Sequence, residues 1–205
     1  MTEQKFGGWQ FWVEVYDDYV IKTPKTKKEV EERVKSFLSK IGRIEELDER
    51  VEKVMSDIEA SKKIILKSKV PRSLLANLEF LKNNKIKQSR VIILGEALAE
   101  ANKKDAEKLI EKTVKLFVKL WQYGIHENTL KFNSNVGVLD GRIVLIDPFE
   151  ITDKKEKVIK LINEKKWRKP FKTNDEILKK YLKYFHKKLD EYFTLENLEK
   201  NWKIK

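Results

Sequence analysis

The chain has 205 residues, 38% of them charged, and its 45 Lys+Arg against 33 Asp+Glu leave a formal charge of +12. Hydrophobic residues still reach 40%, with five Trp, six Tyr and ten Phe, which sets the chain apart from a disordered polyelectrolyte. Zero cysteines exclude a disulfide scaffold, a thiolate metal site and thiol chemistry, and two histidines, His126 and His186, argue against a His-rich zinc centre.

The opening MTEQKFGGWQ has neither the basic start nor the apolar stretch of a secretory signal, and no run approaches the ~18 apolar residues of a membrane span. These features predict a soluble, cytoplasmic protein with no membrane partner. Dense charge of both signs, with no Cys and two Met, matches the composition of thermophile proteins.

In chain order, Gly7-Gly8 precede WQFWVEVY, an Asp17-Asp18 turn and YVIK, a β-hairpin pattern ended by Pro24. From Thr26, the spacing of Val30, Val34, Phe37, Leu38 and Ile41 predicts a helix stopped by Gly42. A longer helix follows on Ile44, Leu47, Val51, Val54, Met55 and Ile58, fading near Lys67 before Pro71. LLANLEFL and RVIILGEAL read as two strands joined by the polar stretch KNNKIKQS. Residues 104–123 form a strongly amphipathic helix on Ala106, Leu109, Ile110, Val114, Phe117, Leu120 and Trp121, closed by Gly124. A loop then leads to VGVL, an Asp140-Gly141 turn and RIVLID, where Asp-Gly is the chemistry a two-residue hairpin turn requires. Beyond Pro148 the pattern is helical, mainly over 153–165 and 173–193. Strands early and helices late predict an α+β fold, with an N-terminal sheet lobe and a C-terminal helical lobe divided near residue 97.

The chemistry concentrates in residues 126–150. Asn135 precedes one strand of the Asp-Gly hairpin and Asp147 ends the other, so their side chains converge at one edge. A carboxylate and an amide oxygen, completed by phosphate oxygens, suit Mg²⁺.

This segment resembles the catalytic segment of the protein-kinase-like superfamily: a long helix, a loop of the type H-x-D…N, a hairpin and a metal-binding Asp. Its compact members, RIO-type kinases and aminoglycoside-type phosphotransferases, are the most similar. The resemblance implies a two-lobed protein-kinase-like fold, with a nucleotide-binding lobe over 1–97 and a helical lobe over 98–205. The catalytic-loop-like segment within the second lobe spans 124–150. It implies ATP and Mg²⁺ between the lobes, with Asn135 and Asp147 on the metal; Asn133 rivals Asn135, because His126 to Asn133 reproduces the H-x-D-x-x-x-x-N spacing. Tyr19-Val20-Ile21-Lys22 resembles the strand ending in the nucleotide lysine, and Gly7-Gly8 stand where the phosphate-covering turn belongs. Leu94 to Ala97, including Glu96, correspond to the hinge that meets adenine. Glu59 is the candidate partner of Lys22, with Glu31 the alternative.

The departures are specific. Asn128 occupies the catalytic Asp position, Glu127 is a surrogate carboxylate if the loop turns by one residue, and Lys131 can neutralise the transferring phosphate. Asp147-Pro148-Phe149 replaces D-F-G, and no A-P-E segment follows. Both an active phosphotransferase with an unidentified acceptor and a pseudokinase fit this pattern.

Residues 160–205 carry fourteen Lys+Arg and seven Asp+Glu, so +7 of the +12 lies there. Interleaved Trp167, Phe171, Tyr181, Tyr184, Phe185, Tyr192, Phe193 and Trp202 suit base stacking on RNA or single-stranded DNA. The one-sided stripe of Ile177, Leu178, Tyr181, Leu182, Phe185, Leu189, Tyr192 and Phe193 reads instead as packed core beneath a lysine-rich face. The alternative function is therefore a non-enzymatic protein that binds nucleic acid or an acidic partner through basic C-terminal helices.

Overall fold

A computed structural model describes residues 4–168 and 176–203. Among these, strands β1 (Gln4–Gly7), β2 (Phe11–Val15), β3 (Tyr19–Pro24), β4 (Glu79–Phe80) and β5 (Ile86–Ser89) build an antiparallel sheet in the order β1-β2-β3-β5-β4. Lys22 sits in the central strand β3, opposite Val13 on one side and Ile86 on the other.

The strand read from LLANLEFL shrinks to β4, and β5 comes from the stretch taken as a polar connection. Lysines hid the period: Ile86 and Gln88 are buried while Lys87 is exposed, the alternation of a half-buried strand.

Two helices follow β3 before the chain returns to β4. Thr26 caps α1 (Lys27–Ile41) through a reciprocal box, its hydroxyl accepting from Glu29 N at 3.3 Å and Glu29 accepting from Thr26 N at 2.8 Å. Gly42 closes the helix at φ 68°, a left-handed cap that costs glycine no Cβ strain. Val30, Val34 and Leu38 of α1 pack on Val51 and Val54 of α2 (Leu47–Ser68) and on Trp9, forming a small separate core. Further along α2, Ile58 and Ile65 join the main core.

A second sheet contains β6 (Ile92–Ile93), β8 (Val136–Leu139) and β9 (Arg142–Leu145), in the order β6-β8-β9. The β8–β9 turn is the Asp-Gly hairpin read from the sequence, with Asp140 at φ 49° and Gly141 at φ 72°. β7 (His126–Glu127) pairs with β10 (Ile151–Thr152). RVIILGEAL is divided between β6 and the helix α3 (Leu94–Glu100), because Leu94 and Leu98, four residues apart, are both fully buried. Residue 97, the expected lobe boundary, therefore lies inside a helix.

The long helix is α4 (Lys103–Trp121), with α5 (Lys155–Asn163), α6 (Glu176–Tyr192) and α7 (Leu195–Asn201) after the hairpin. On α6, Tyr181, Phe185 and Leu189 are buried, and Phe193 just beyond it is too, so the stripe is core. Trp167 and Trp202 are also buried, which withdraws these aromatics from base stacking. Phe171 and the Leu178 side chain lie outside the described residues.

One contiguous apolar core runs from Phe11 through Ile58 and Phe117 to Trp202. The molecule is thus mixed α+β, with an N-terminal sheet and a helical C-terminal part.

At Gly137 of β8 the segment entering β6 leaves no room for a side chain. A Cβ there would lie 2.4 Å from Val91 Cγ2 and 3.1 Å from the Ile92 carbonyl. Gly137→Ala is expected to push β6 off β8 and lower unfolding stability by about 1–3 kcal/mol, read from urea melts.

Candidate functional site

The Asp-Gly hairpin sets the site. Its last ladder pair is Val136 with Leu145, and the pairing continues one step further: the Asn135 carbonyl accepts from Ile146 N at 2.8 Å and from Asp147 N at 3.3 Å. Asn135 and Asp147 therefore stand side by side at the open end of the hairpin.

Lys22 reaches this end from the other sheet. Its Nζ donates to the Ile146 carbonyl at 2.6 Å, joining residues 124 apart in the chain. Lys22 is 9% exposed, and burial holds its pKa below the ordinary lysine value, with the nearby Asp147 charge opposing that shift. Asp147 Oδ1 is buried and has no hydrogen-bond partner.

Two cavities meet at Lys22 and Asp147. The first, about 790 Å³, is walled by Val13, Val15, Val20, Ile93 and Ile146, with Gln88 and Glu96 also lining it. The second, about 470 Å³, is bounded by the Gly8–Phe11 turn, by Arg50, Lys53 and Asp57 of α2, and by Lys131, Asn135 and Glu150. The first cavity has the larger share of aliphatic side chains, with Arg90 and Glu96 also on its wall, and the second has more charged ones, so the lysine–aspartate pair divides a two-part cleft.

The turn that roofs the polar cavity is tied down. Lys25 Nζ donates to the Gly8 carbonyl at 2.5 Å and lies 4.1 Å from the centre of the Trp12 ring. Gly7 sits against the same ring, 2.6 Å from where a Cβ would stand. Only Gly8 of the glycine pair lines the cavity. From below, Gln10 Nε2 donates to the Phe149 carbonyl at 3.4 Å, and the Phe11 and Phe149 rings meet at a tilt with centroids 4.6 Å apart, so the Asp147-Pro148-Phe149 turn is packed against the N-terminal sheet.

The loop residues divide differently from expectation. Glu127 is fully buried and accepts from Thr129 N at 3.1 Å, from the Thr129 hydroxyl and from Leu130 N. It also accepts from Asn135 Nδ2 at 3.4 Å, and the same amide reaches Thr129 Oγ1 at 3.2 Å. Burial lifts its pKa to about 7, against those hydrogen bonds, which pull it down. Glu127 is therefore a brace for the loop and for Asn135, not a carboxylate presented to an acceptor. Asn128 is exposed, and it does not line the polar cavity either; its N–H is bonded to the Glu150 carbonyl at 3.0 Å. Lys131 does line it, paired with Glu150 at 3.1 Å. His126 is a packing residue: its Nδ1 accepts from Trp121 Nε1 at 3.0 Å, and burial lowers its pKa to about 3.

Three further expectations shift. Glu59 and Glu31 are exposed, whereas Asp57 lines the cleft, held by Lys53 at 2.6 Å. Helical spacing explains this: Asp57 lies three residues after buried Val54, and Glu59 falls outside that stripe. The extended backbone beside the apolar cavity is Ser89 to Ile93, because Leu94 to Ala97 are helical and Gly95 N is already bonded to the Asn133 carbonyl at 3.0 Å. That bond also turns Asn133 toward α3, leaving Asn135 as the asparagine beside Asp147 in the cleft.

Mg²⁺ fits the donors present. Asp147 supplies an unpartnered oxygen, and Asn135, with its amide nitrogen engaged by Glu127 and Thr129, has the Ser134 hydroxyl on its oxygen at 3.3 Å, a long bond. Among the described residues, no group of three or more His, Asp or Glu is clustered to hold a metal alone. A bound ion would need oxygens from a ligand.

No family model and no curated protein matches the chain. Among solved structures, a crystal structure of WbdD is similar at 15% identity and a TM-score of 0.47, over 96% of this chain and 48% of that one. The Rv3197–erythromycin complex from Mycobacterium tuberculosis is similar at 13% identity and a TM-score of 0.44, over 89% of this chain and 61% of that one. The chain thus spans about half the length of the first and three fifths of the second. At these values neither assigns the chain to a family.

Proposed function

We propose that the protein is kinase-like and binds ATP with Mg²⁺ in the two-part cleft, the base in the apolar cavity and the phosphates in the polar one. The observation that carries this reading is the boundary of buried Lys22 and half-buried Asp147 shared by the two cavities, with an unpartnered carboxylate oxygen on it. Lys22 would neutralise phosphate charge, and Asp147 with Asn135 would hold the metal, which supplies further charge neutralisation when bound. Glu127 holds the Asn135 amide, and Lys25 keeps the Gly8 turn over the phosphates.

Binding without efficient transfer is the form of the reading that the loop favours. Glu127 is withdrawn into the interior and Asn128 stands outside the cavity, so neither residue is presented to an acceptor hydroxyl, and Glu150, which does line the cavity, is paired with Lys131. This is a pseudokinase arrangement. The test is a thermal shift with ATP and Mg²⁺, since a ligand that binds only the folded state raises its apparent stability. A rise of several degrees at millimolar ATP–Mg²⁺ is expected, together with negligible γ-phosphate release. No rise in the parent protein would overturn the nucleotide reading, and rapid turnover would overturn the pseudokinase form.

A second reading is favoured by one surface. Lys179, Lys180, Lys183 and Lys187 of α6 are exposed along a cavity that Arg168 also lines, where Glu107 is the acidic member. Such a face suits the phosphates of a nucleic acid without base-specific reading. Binding of a single-stranded RNA oligonucleotide, followed by anisotropy, is expected to weaken steeply from 50 to 200 mM salt (roughly tenfold or more). Salt-independent binding, or none, would count against it.

A further inference from the structure

Strand β5, next to the central β3, brings a side chain to the apolar cavity whose polar groups are half satisfied. Gln88 is 1% exposed and lines that cavity. Its Nε2 donates to the Leu75 carbonyl at 2.9 Å, while its Oε1 is buried with no partner. The amide cannot be reversed without cost, because a flip would set Oε1 against the Leu75 carbonyl, acceptor against acceptor. The free group is therefore fixed as an acceptor, and a buried acceptor left unpaired is costly.

Resting on the nucleotide reading above, we propose that Gln88 is a specificity residue that selects a base carrying an exocyclic amino group over one carrying a carbonyl at the same position. The 6-amino group of adenine supplies the N–H donor that Oε1 lacks. The 6-oxo group of hypoxanthine or guanine would bring a second acceptor to it. Of the remaining walls, Val13, Val15, Val20, Ile93 and Ile146 enclose the ring without polar selectivity, while Ser89, Arg90, Glu96 and Ser134 also line the cavity. A site that hydrogen-bonds a ligand group rejects the analogue lacking it far better than an apolar pocket can, because its own polar group is then left unpaired.

The test compares ATP with ITP, which replaces the 6-amino group by oxygen, and with purine riboside triphosphate, which has neither. Dissociation constants of the Mg²⁺ complexes would be measured by calorimetry on the full chain. ITP is expected to bind roughly 10- to 100-fold more weakly than ATP, with purine riboside triphosphate also weaker than ATP. In Gln88→Met the ATP/ITP ratio is expected to fall to about threefold or less, while dependence on Asp147 is retained. Equal affinity for ATP and ITP in the parent protein would overturn the proposal, as would a ratio unchanged in Gln88→Met. The two parent-protein ratios decide the matter even if that variant fails to fold. Absence of binding by all three triphosphates would overturn the nucleotide reading itself, and the selectivity with it; equal binding by all three overturns the selectivity alone.

Discussion

Asp147→Asn is expected to remove the Mg²⁺-dependent part of ATP binding, weakening it by about 2–5 kcal/mol, or roughly 30- to 5,000-fold. The substitution keeps the shape of the side chain and its place beside Asn135, but takes away the charge and one of the oxygens offered to the ion. It also leaves Lys22, buried and already disfavoured as a cation, without its nearest counter-charge. Lys22→Met should act on the other half of the interaction, reducing affinity with and without the metal. Chelation by EDTA is expected to bring the parent protein down to the level of Asp147→Asn and to leave that variant unchanged. Calorimetry with ATP, with and without Mg²⁺, separates these effects. An Asp147→Asn variant with parental affinity and parental metal dependence would sink the metal assignment.

The second large effect concerns pH, and it comes from neighbours with opposite shifts. His126 has its pKa lowered from 6.5 to about 3, so the unfolded chain takes up that proton first and stability is lost as pH falls below about 6.5. Glu127 has its pKa raised from 4.5 to about 7, so the folded chain holds that proton longer and stability is lost as pH rises from about 4.5 to 7. Between pH 4.5 and about 6.5 the two slopes oppose each other and largely cancel. Removing either partner exposes the other. Glu127→Gln should gain about 2–3 kcal/mol of unfolding stability from pH 4.5 to 7.5, and His126→Gln should lose a similar amount over the same interval. Urea melts at three pH values would show it. Parallel profiles for parent and variants would contradict the assignment.

What the sequence could carry depended on how local its cause was. The Asp140-Gly141 turn fixed the hairpin register by backbone conformation alone, so the convergence of Asn135 and Asp147 was legible before any tertiary contact. The Thr26 cap, the Gly42 stop and the stripe of the long helix are equally local. Gln88 was hidden because its short strand carries Lys87 on the exposed face and depends on pairing with Val20 across 68 residues of chain. Asp57 was missed because three helical positions separate it from Val54 while Glu59 lies only two further on; the choice between them is made by packing on α2. Glu127 and Asn128 show the same limit, since their spacing is compatible with a catalytic loop and burial alone reveals which way the carboxylate turns.

The small core between α1 and α2 has a consequence for motion. Val30, Val34 and Leu38 find their burial against Val51, Val54 and Trp9, apart from the principal core that secures Ile58 and Ile65. Helix α1 can thus detach as a sub-global opening unit while the rest of the chain keeps its packing. Its amides would exchange with solvent ahead of those of α4, and because Trp9 also lines the polar cavity, a ligand held there would slow that exchange from a distance.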